Sequence, residues 1–320
     1  MATAFSAKHS RGAAPLILCA GIAVIDHVFR VVAMPKPGTK NRASEFTTVS
    51  GGNVANGSIA VARLGGRVRL AAPLGGPAGI DMAGDTILQK LEQENVDHSA
   101  VVRIPGVHSS ISAILVDASG ERAIINYRDD ALMSARIKDP AGLVATADAV
   151  LIDNRFPEFS LPVAQAAKKD DKIVVMDADD PTRETDALLN ACSHVVFSSH
   201  GLRTTAETQD FEAGLNAVAK RTAALLAVTD GPNGVWWHDG NAVHHIAAHY
   251  VRAIDTLGAG DVFHGACVLA LAEGRDFEQA LRFSAAAAAV KCTRFGGIDG
   301  APTRQEVEAF LASGGRADFS

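Results

Sequence analysis

Cysteine is scarce in these 320 residues. The four thiols, Cys19, Cys192, Cys267 and Cys292, are widely spaced, with no Cys-x-x-Cys pair and no histidine at zinc-finger spacing. That argues against a disulfide framework and a structural zinc site, and for half-buried or buried thiols in a reducing compartment. Eleven histidines are present, but the adjacent His244 and His245 would point to opposite faces of a strand and could not chelate one ion together. There is no basic excess: 30 Lys and Arg against 36 Asp and Glu leave a net charge of −6. A general nucleic-acid binder would instead present a basic face. Long apolar runs are missing too. The stretch from Pro15 to Ile25, preceded by Lys8 and Arg11, superficially resembles a secretion signal, but Asp26 ends it and no small-residue cleavage site follows. It is also well short of the ~20 residues that span a bilayer. A disordered, basic tail over residues 1–14 and a cytoplasmic protein are the expectations. Neither a Gly-x-x-x-x-Gly-Lys-Ser/Thr loop nor a dinucleotide-type Gly-x-Gly-x-x-Gly occurs, and no internal repeat or low-complexity linker divides the chain.

What is present is ordinary core-forming material: 48% hydrophobic and 21% charged residues, enough for one large α/β domain. The continuous apolar run Leu16 to Ile25 predicts a strand covered on both faces. Residues 27–50, with Pro35, Pro37 and Gly38, predict an excursion of thin strands and turns. A helix should follow Gly51-Gly52-Asn53, then a strand at Val68 to Ala72 and an amphipathic helix over Asp81 to Asn95. Ser110 to Val116 and Glu121 to Tyr127 flank Asp117-Ala118-Ser119-Gly120, which predicts a hairpin and a second excursion. Strands are expected at Ala149 to Ile152, Ile173 to Met176, His194 to Phe197 and Leu225 to Thr229, with helical patterns such as Phe211 to Thr222 between them. A hairpin near Gly240-Asn241 and helices at Asp261 to Ala272 and Phe277 to Lys291 complete the chain. This alternation predicts a mostly parallel sheet with right-handed crossovers, one main domain over 15–314, and a small lid from about 27–50 and 107–130.

The segment with most chemistry is Asp255-Thr256-Leu257-Gly258-Ala259-Gly260-Asp261, which runs into the apolar pattern Val262, Phe263, Ala266, Leu269. Small residues Gly258, Ala259 and Gly260 let backbone N–H groups turn inward, and the following helix directs its positive end at the same point, making an anion site suited to phosphate. Asp261 is expected to open that helix, where its carboxylate could take a proton from an attacking hydroxyl. Alone, the segment is equally compatible with a helix cap and a turn.

Together with Val262-Phe263-His264-Gly265, it resembles the C-terminal signature of PfkB carbohydrate kinases, and the resemblance runs from about Leu16 to Phe310 with the motifs in the family's order. It implies a ribokinase-like α/β fold with a β lid, ATP as phosphoryl donor with Mg2+, and Asp261 as base with Gly258 to Gly260 as the anion hole. Gly51, Gly52, Asn53 and Asn56 resemble the family's sugar-contacting glycine motif, and Asp26 its hydroxyl-binding aspartate. Thr229, Gly231 and Gly234 lie in a segment similar to the nucleotide turn. The resemblance fails at Ser198-Ser199-His200-Gly201, where the family often has the Asn-x-x-Glu that organises magnesium, so metal ligands are not assigned. A monovalent cation such as K+ would fall near Asp255 and the 294–297 loop.

Within the family, the chain is most similar to the ketohexokinase and sulfofructose kinase branch. Lys40 and Asn126 fall on the two excursions and Arg155 follows a core strand, positions that resemble the sulfonate-binding set of sulfofructose kinases. A cation, an amide and a planar guanidinium suit an anionic group on a sugar. The alternatives are that Lys40 is a solvated charge and Arg155 an ion-pair partner of Asp153 or Glu158. A neutral fructose, a nucleoside, and a silent sugar-binding regulator remain open, and a homodimer through the lid is expected from the resemblance.

Overall fold

The computed structural model describes residues 13–118, 122–179 and 186–315. The chain begins with β1 (Leu16–Ala20), then β2 (Val24–Arg30), β3 (Glu45–Gly51), α1 (Asn53–Arg63), β4 (Arg67–Ala71), β5 (Pro73–Gly76), α2 (Met82–Gln93) and β6 (Val102–Pro105). It continues through β7 (Ser110–Val116), β8 (Arg122–Tyr127), α3 (Pro140–Ala145), β9 (Ala149–Asp153), α4 (Pro157–Lys169), β10 (Ile173–Ala178), α5 (Asp186–Ala191) and β11 (His194–Ser198). The last third holds α6 (Ser199–Ala206), α7 (Phe211–Ala219), β12 (Leu225–Thr229), β13 (Val235–His238), β14 (Val243–Ile246), α8 (Ala259–Ala272), α9 (Phe277–Cys292) and α10 (Arg304–Ala312).

Eight strands form the main sheet in the order β14-β13-β12-β11-β10-β9-β1-β4. From β4 to β12 the pairing is parallel, and β13 and β14 close the edge as an antiparallel hairpin. Successive side chains of each strand point to opposite faces. Ile17, Cys19, Leu151 and Val175 therefore enter one core with α1, α2, α8, α9 and α10, whereas Leu18, Val150, Ile152 and Met176 enter another with α3 to α7. Both faces being covered is why these strands read as unbroken apolar runs. Among the described residues no helix is long and apolar enough to cross a membrane.

The expected first strand, Leu16 to Ile25, is two strands. The break falls at Gly21 to Ala23, where the Asp153 carboxylate accepts from the Ile22 N–H at 2.7 Å and a Cβ on residue 21 would lie 2.3 Å from that carboxylate. The chain leaves the main sheet there, so Asp26 sits inside β2 rather than at the end of β1. β2 joins the second sheet, ordered β3-β2-β7-β8. This sheet unites the two excursions: β2 pairs antiparallel with β3 and parallel with β7, and β7 with β8 antiparallel. The two strands of the 110–127 hairpin are found, while Ser119, Gly120 and Glu121 at its turn, like Lys8 and Arg11 of the tail, lie outside the described residues.

The inner face of the lid carries Val28, Val49 and Ile114, which pack together with Leu257 from the turn before α8. A small core thus ties lid and main domain together at the Gly-Ala-Gly segment.

Candidate active site

α8 starts at Ala259, two residues earlier than expected, with Gly258 as its N-cap at φ 78°. That left-handed conformation is one glycine adopts freely. Asp261 is therefore the third residue of the first turn rather than the opening one, and its carboxylate is held against the positive end of the helix. The helix can stand where it does because α1 crosses it at close range. A Cβ on Gly265 would lie 2.4 Å from the Gly57 carbonyl oxygen, and one on Gly57 would meet the Leu151 side chain at 2.7 Å. Two glycines facing each other bring the N-terminal turns of α1 and α8 together.

The result is a polar cluster in which Asn56, Asp177 and His264 are buried and Asn53 and Asp261 half-buried. Asn56 Nδ2 donates to Asp261 Oδ2 at 2.7 Å, and Asn53 Nδ2 donates to Asp177 Oδ2 at 3.0 Å. Asn56 Oδ1 is buried with no hydrogen-bond partner, and an unpaired buried acceptor is costly unless something donates to it. Behind Asp261, His264 is itself buried. Its Nδ1 lies 2.7 Å from the Gly260 carbonyl oxygen and 3.2 Å from Asp177 Oδ2, and its Nε2 lies 3.2 Å from the Val196 carbonyl oxygen. Burial, then the nearby Asp177, push the Asp261 carboxyl up to about 7, against the pull of the Asn56 hydrogen bond. Burial, then Asp179, raise Asp177 well above the usual carboxylate range, and burial lowers His264.

The lid supplies the opposite wall. Val49, Asp26, Ser112 and Asn126 are paired side by side across its four strands and so share its inner face. Burial raises Asp26 to about 6, tempered by its hydrogen bond to Ser112. Asn126 Nδ2 donates to Ser112 Oγ at 3.1 Å, which extends the row. Gly51 lies against Asp26, where any Cβ would be 2.3 Å from the carboxylate, and Gly52, at φ 92°, forms the N-cap of α1.

Five further expected residues lie around this cluster. Lys40 is exposed on the coil between β2 and β3. Arg155 follows β9, its backbone N–H donating to Asp153 Oδ1 at 3.0 Å, but its guanidinium pairs with Asp179 rather than with Asp153 or Glu158. Glu158 is paired with Arg136. On the far side, Thr229 ends β12, with its hydroxyl 3.4 Å from the Phe197 carbonyl oxygen. Gly231, at φ 48°, starts a tight turn, and Gly234, at φ 100°, passes so close to β14 that a Cβ would lie 2.1 Å from the Ile246 carbonyl oxygen. Ser198 caps α6 by accepting from the Gly201 N–H at 2.9 Å, and Ser199 donates to the Thr229 carbonyl at 2.8 Å and Asp230 at 3.0 Å. The segment standing in place of Asn-x-x-Glu is thus occupied in holding α6 and the Thr229 turn.

Sequence reasoning missed Asp177, met Asp153 only as a candidate ion-pair partner of Arg155, and met His264 only as part of the signature. Both aspartates directly follow apolar strand runs, and ligands of open α/β sheets gather beyond the carboxyl ends of the strands. That position was the available signal.

The family model described as pfkB family carbohydrate kinase matches residues 14–304. The chain belongs to this family. A ribokinase of Haemophilus influenzae is 29% identical over 294 residues, covering 89% of this chain and 95% of its own length. A solved structure of a candidate ribokinase from Agrobacterium tumefaciens is 37% identical, with a TM-score of 0.89 over 95% of this chain and 100% of that one. The Arabidopsis thaliana ribokinase complexed with ribose and ATP is 25% identical, with a TM-score of 0.78 over 96% of this chain and 100% of that one. The sheet order, lid and helix layers of this carbohydrate kinase are therefore the ribokinase-like fold.

Proposed function

We propose that the protein transfers the γ-phosphoryl group of ATP to a hydroxyl of a ketohexose-type sugar, with Asp261 as general base. The observation that carries this is Asp261 in the first turn of α8, hydrogen-bonded to an Asn56 whose other amide atom is buried and unpaired. A sugar hydroxyl placed there can donate to Asp261, while a neighbouring hydroxyl satisfies Asn56 Oδ1. Asp26 receives further hydroxyls from the lid side. A carboxylate near pH 7 suits proton removal at neutral pH, since base strength and the ionised fraction are then both useful. Gly258 to Gly260 and the helix end face the charge that grows on the transferred phosphoryl group.

Thr229, Gly231 and Gly234 flank the nucleotide in this reading. Magnesium supplies charge neutralisation on the nucleotide phosphates when bound. Among the described residues no group of three or more His, Cys, Asp or Glu side chains could hold a metal.

For the sugar we favour 6-deoxy-6-sulfofructose, an anionic ketohexose. Asn126, in the Asp26 row, would meet its far end, with Lys40 and Arg155 closing on the sulfonate. Binding would require Arg155 to share or exchange Asp179 for the sulfonate, a swap between two planar oxyanion partners.

The test is ATP turnover with magnesium on sulfofructose, fructose, fructose 6-phosphate, ribose and adenosine, repeated with Arg155→Ala. The expected result is preference for sulfofructose, with Arg155→Ala raising its KM about tenfold while fructose is little affected. Preference for a neutral sugar, with equal effects of Arg155→Ala on both, would return Lys40, Asn126 and Arg155 to structural roles. Turnover of none of the five would favour a silent binding protein.

A further inference from the structure

Lys291 is fully buried, one residue before the end of α9. Its Nζ donates to the Asp255 carbonyl oxygen at 2.8 Å and lies 3.3 Å from Asp255 Oδ2. Burial pulls its pKa down, and Asp255 holds it up. An ammonium this well buried persists only when its donors meet acceptors and a counter-charge, and Asp255 supplies both.

The oxygens of Asp255 are otherwise committed as well. Oδ2 accepts from the Gly296 N–H at 3.1 Å and the Gly297 N–H at 2.8 Å, and Oδ1 accepts from the Leu257 N–H at 2.8 Å. The backbone N–H groups of Ile254 and Asp255 donate to the Cys292 carbonyl at 2.7 and 3.2 Å. The turn that carries Gly258 to Gly260 is therefore pinned to the end of α9 through one aspartate, and the positive charge at its centre is a side chain. A monovalent metal ion placed at Asp255 would need the carboxylate and carbonyl oxygens that Lys291 already holds. The residues present do not fit such an ion.

We propose that the Lys291 ammonium is an internal cation that takes the place of a monovalent metal ion, positioning the Asp255 turn and through it the anion hole, so that the enzyme needs no K+ or Na+. Lys291 is a positioning residue. Its catalytic consequence rests on the phosphoryl-transfer reading above; its structural consequence does not.

The experiment compares wild type, Lys291→Ala and Lys291→Met, as full chains, in buffers whose added monovalent cation is tetramethylammonium, K+ or ammonium. Turnover and melting temperature are read in each. Wild type should show the same turnover and melting temperature in all three. Lys291→Ala should lose about tenfold or more in kcat in tetramethylammonium, as expected for a displaced catalytic turn. It should regain activity and melt higher in K+ or ammonium, because a small cation then binds the folded state. Lys291→Met fills the space without charge and should recover nothing.

Several-fold activation of wild type by K+ would overturn the proposal, and that arm stands even if the variants do not fold. Wild-type activity of either variant in tetramethylammonium would overturn it too. So would a folded Lys291→Ala that responds to no cation in turnover or melting. If no sugar is phosphorylated by any of the three proteins, the kinase reading fails, and the melting comparison decides the cation question by itself.

Discussion

Asp261 is half-buried beside two other carboxylates and must still be charged to act as a base, and its behaviour with pH follows from that conflict. Folded, it keeps its proton to about pH 7, whereas the unfolded chain releases it near 3.8. Between those values the folded state binds more protons, so this residue's contribution to stability falls as pH rises through the window. Asp261→Asn should therefore abolish turnover, by about 10²–10⁴-fold or more, yet melt no lower than wild type at pH 8. Circular dichroism melts and single-turnover assays check both halves, and near-normal activity would remove Asp261 as base. In the wild type, kcat should fall on the acid side with a limb near pH 7. Because the Asn56 hydrogen bond holds that value down, Asn56→Leu should move the limb to higher pH; an unmoved limb would mean that the titrating group lies elsewhere.

The elements show where the sequence was legible and where it was not. Periodicity located β12 and nearly all of α9 because their apolar positions enter the core, and the acid-glycine pattern marked the turn that leads into α8. Local pattern could not reveal that β1 stops at Ala20, since Val24 and Ile25 are as apolar as Ile17; the stop depends on Asp153, 131 residues beyond Ile22 in sequence. Nor could it place Arg155 with Asp179, since both partners lie in irregular segments after different strands. The contact between α1 and α8 belongs with these. Gly57 and Gly265 each look like a weak point in a helix until the two are seen face to face. Gly265→Ala would put a methyl 2.4 Å from the Gly57 carbonyl oxygen and 3.0 Å from the Ala60 Cβ, neither at the end of a flexible side chain. We expect a loss of about 1–3 kcal/mol, the usual cost of overpacking, together with a lower kcat as Asp261 draws away from Asn56. Thermal melting and steady-state kinetics report the two effects separately, and a variant of unchanged stability and kcat would show that the helices have room to yield.

At the scale of the molecule, the lid has two faces with different duties. The inner face holds Asp26, Ser112 and Asn126 and packs Val28, Val49 and Ile114 onto Leu257. On the outer face, α2 covers the end near Ile25, but Phe46, Ile125 and Tyr127 are 59%, 69% and 48% exposed. Large side chains exposed together on one sheet face are unusual on a monomer's surface. A second copy is the occupant that best matches them, because the same apolar patch on two lids is self-complementary about a twofold axis. We therefore expect a homodimer formed lid to lid. Ile125 is the point to test, being exposed on the edge strand β8 and paired with Ala113 on the outer row, away from Asp26. Ile125→Glu would set two like charges near one another across the axis in an apolar surround, which costs several kcal/mol of association. Light scattering after size exclusion should then report a monomer where the wild type gives a dimer, with the melting temperature of the main domain little changed. KM for the sugar should rise in the monomer, since the row that carries Asp26 and Asn126 is steadied by the sheet behind it. A wild type that is already monomeric at the same concentration, or a variant that remains dimeric, would show that this face serves something other than a second copy.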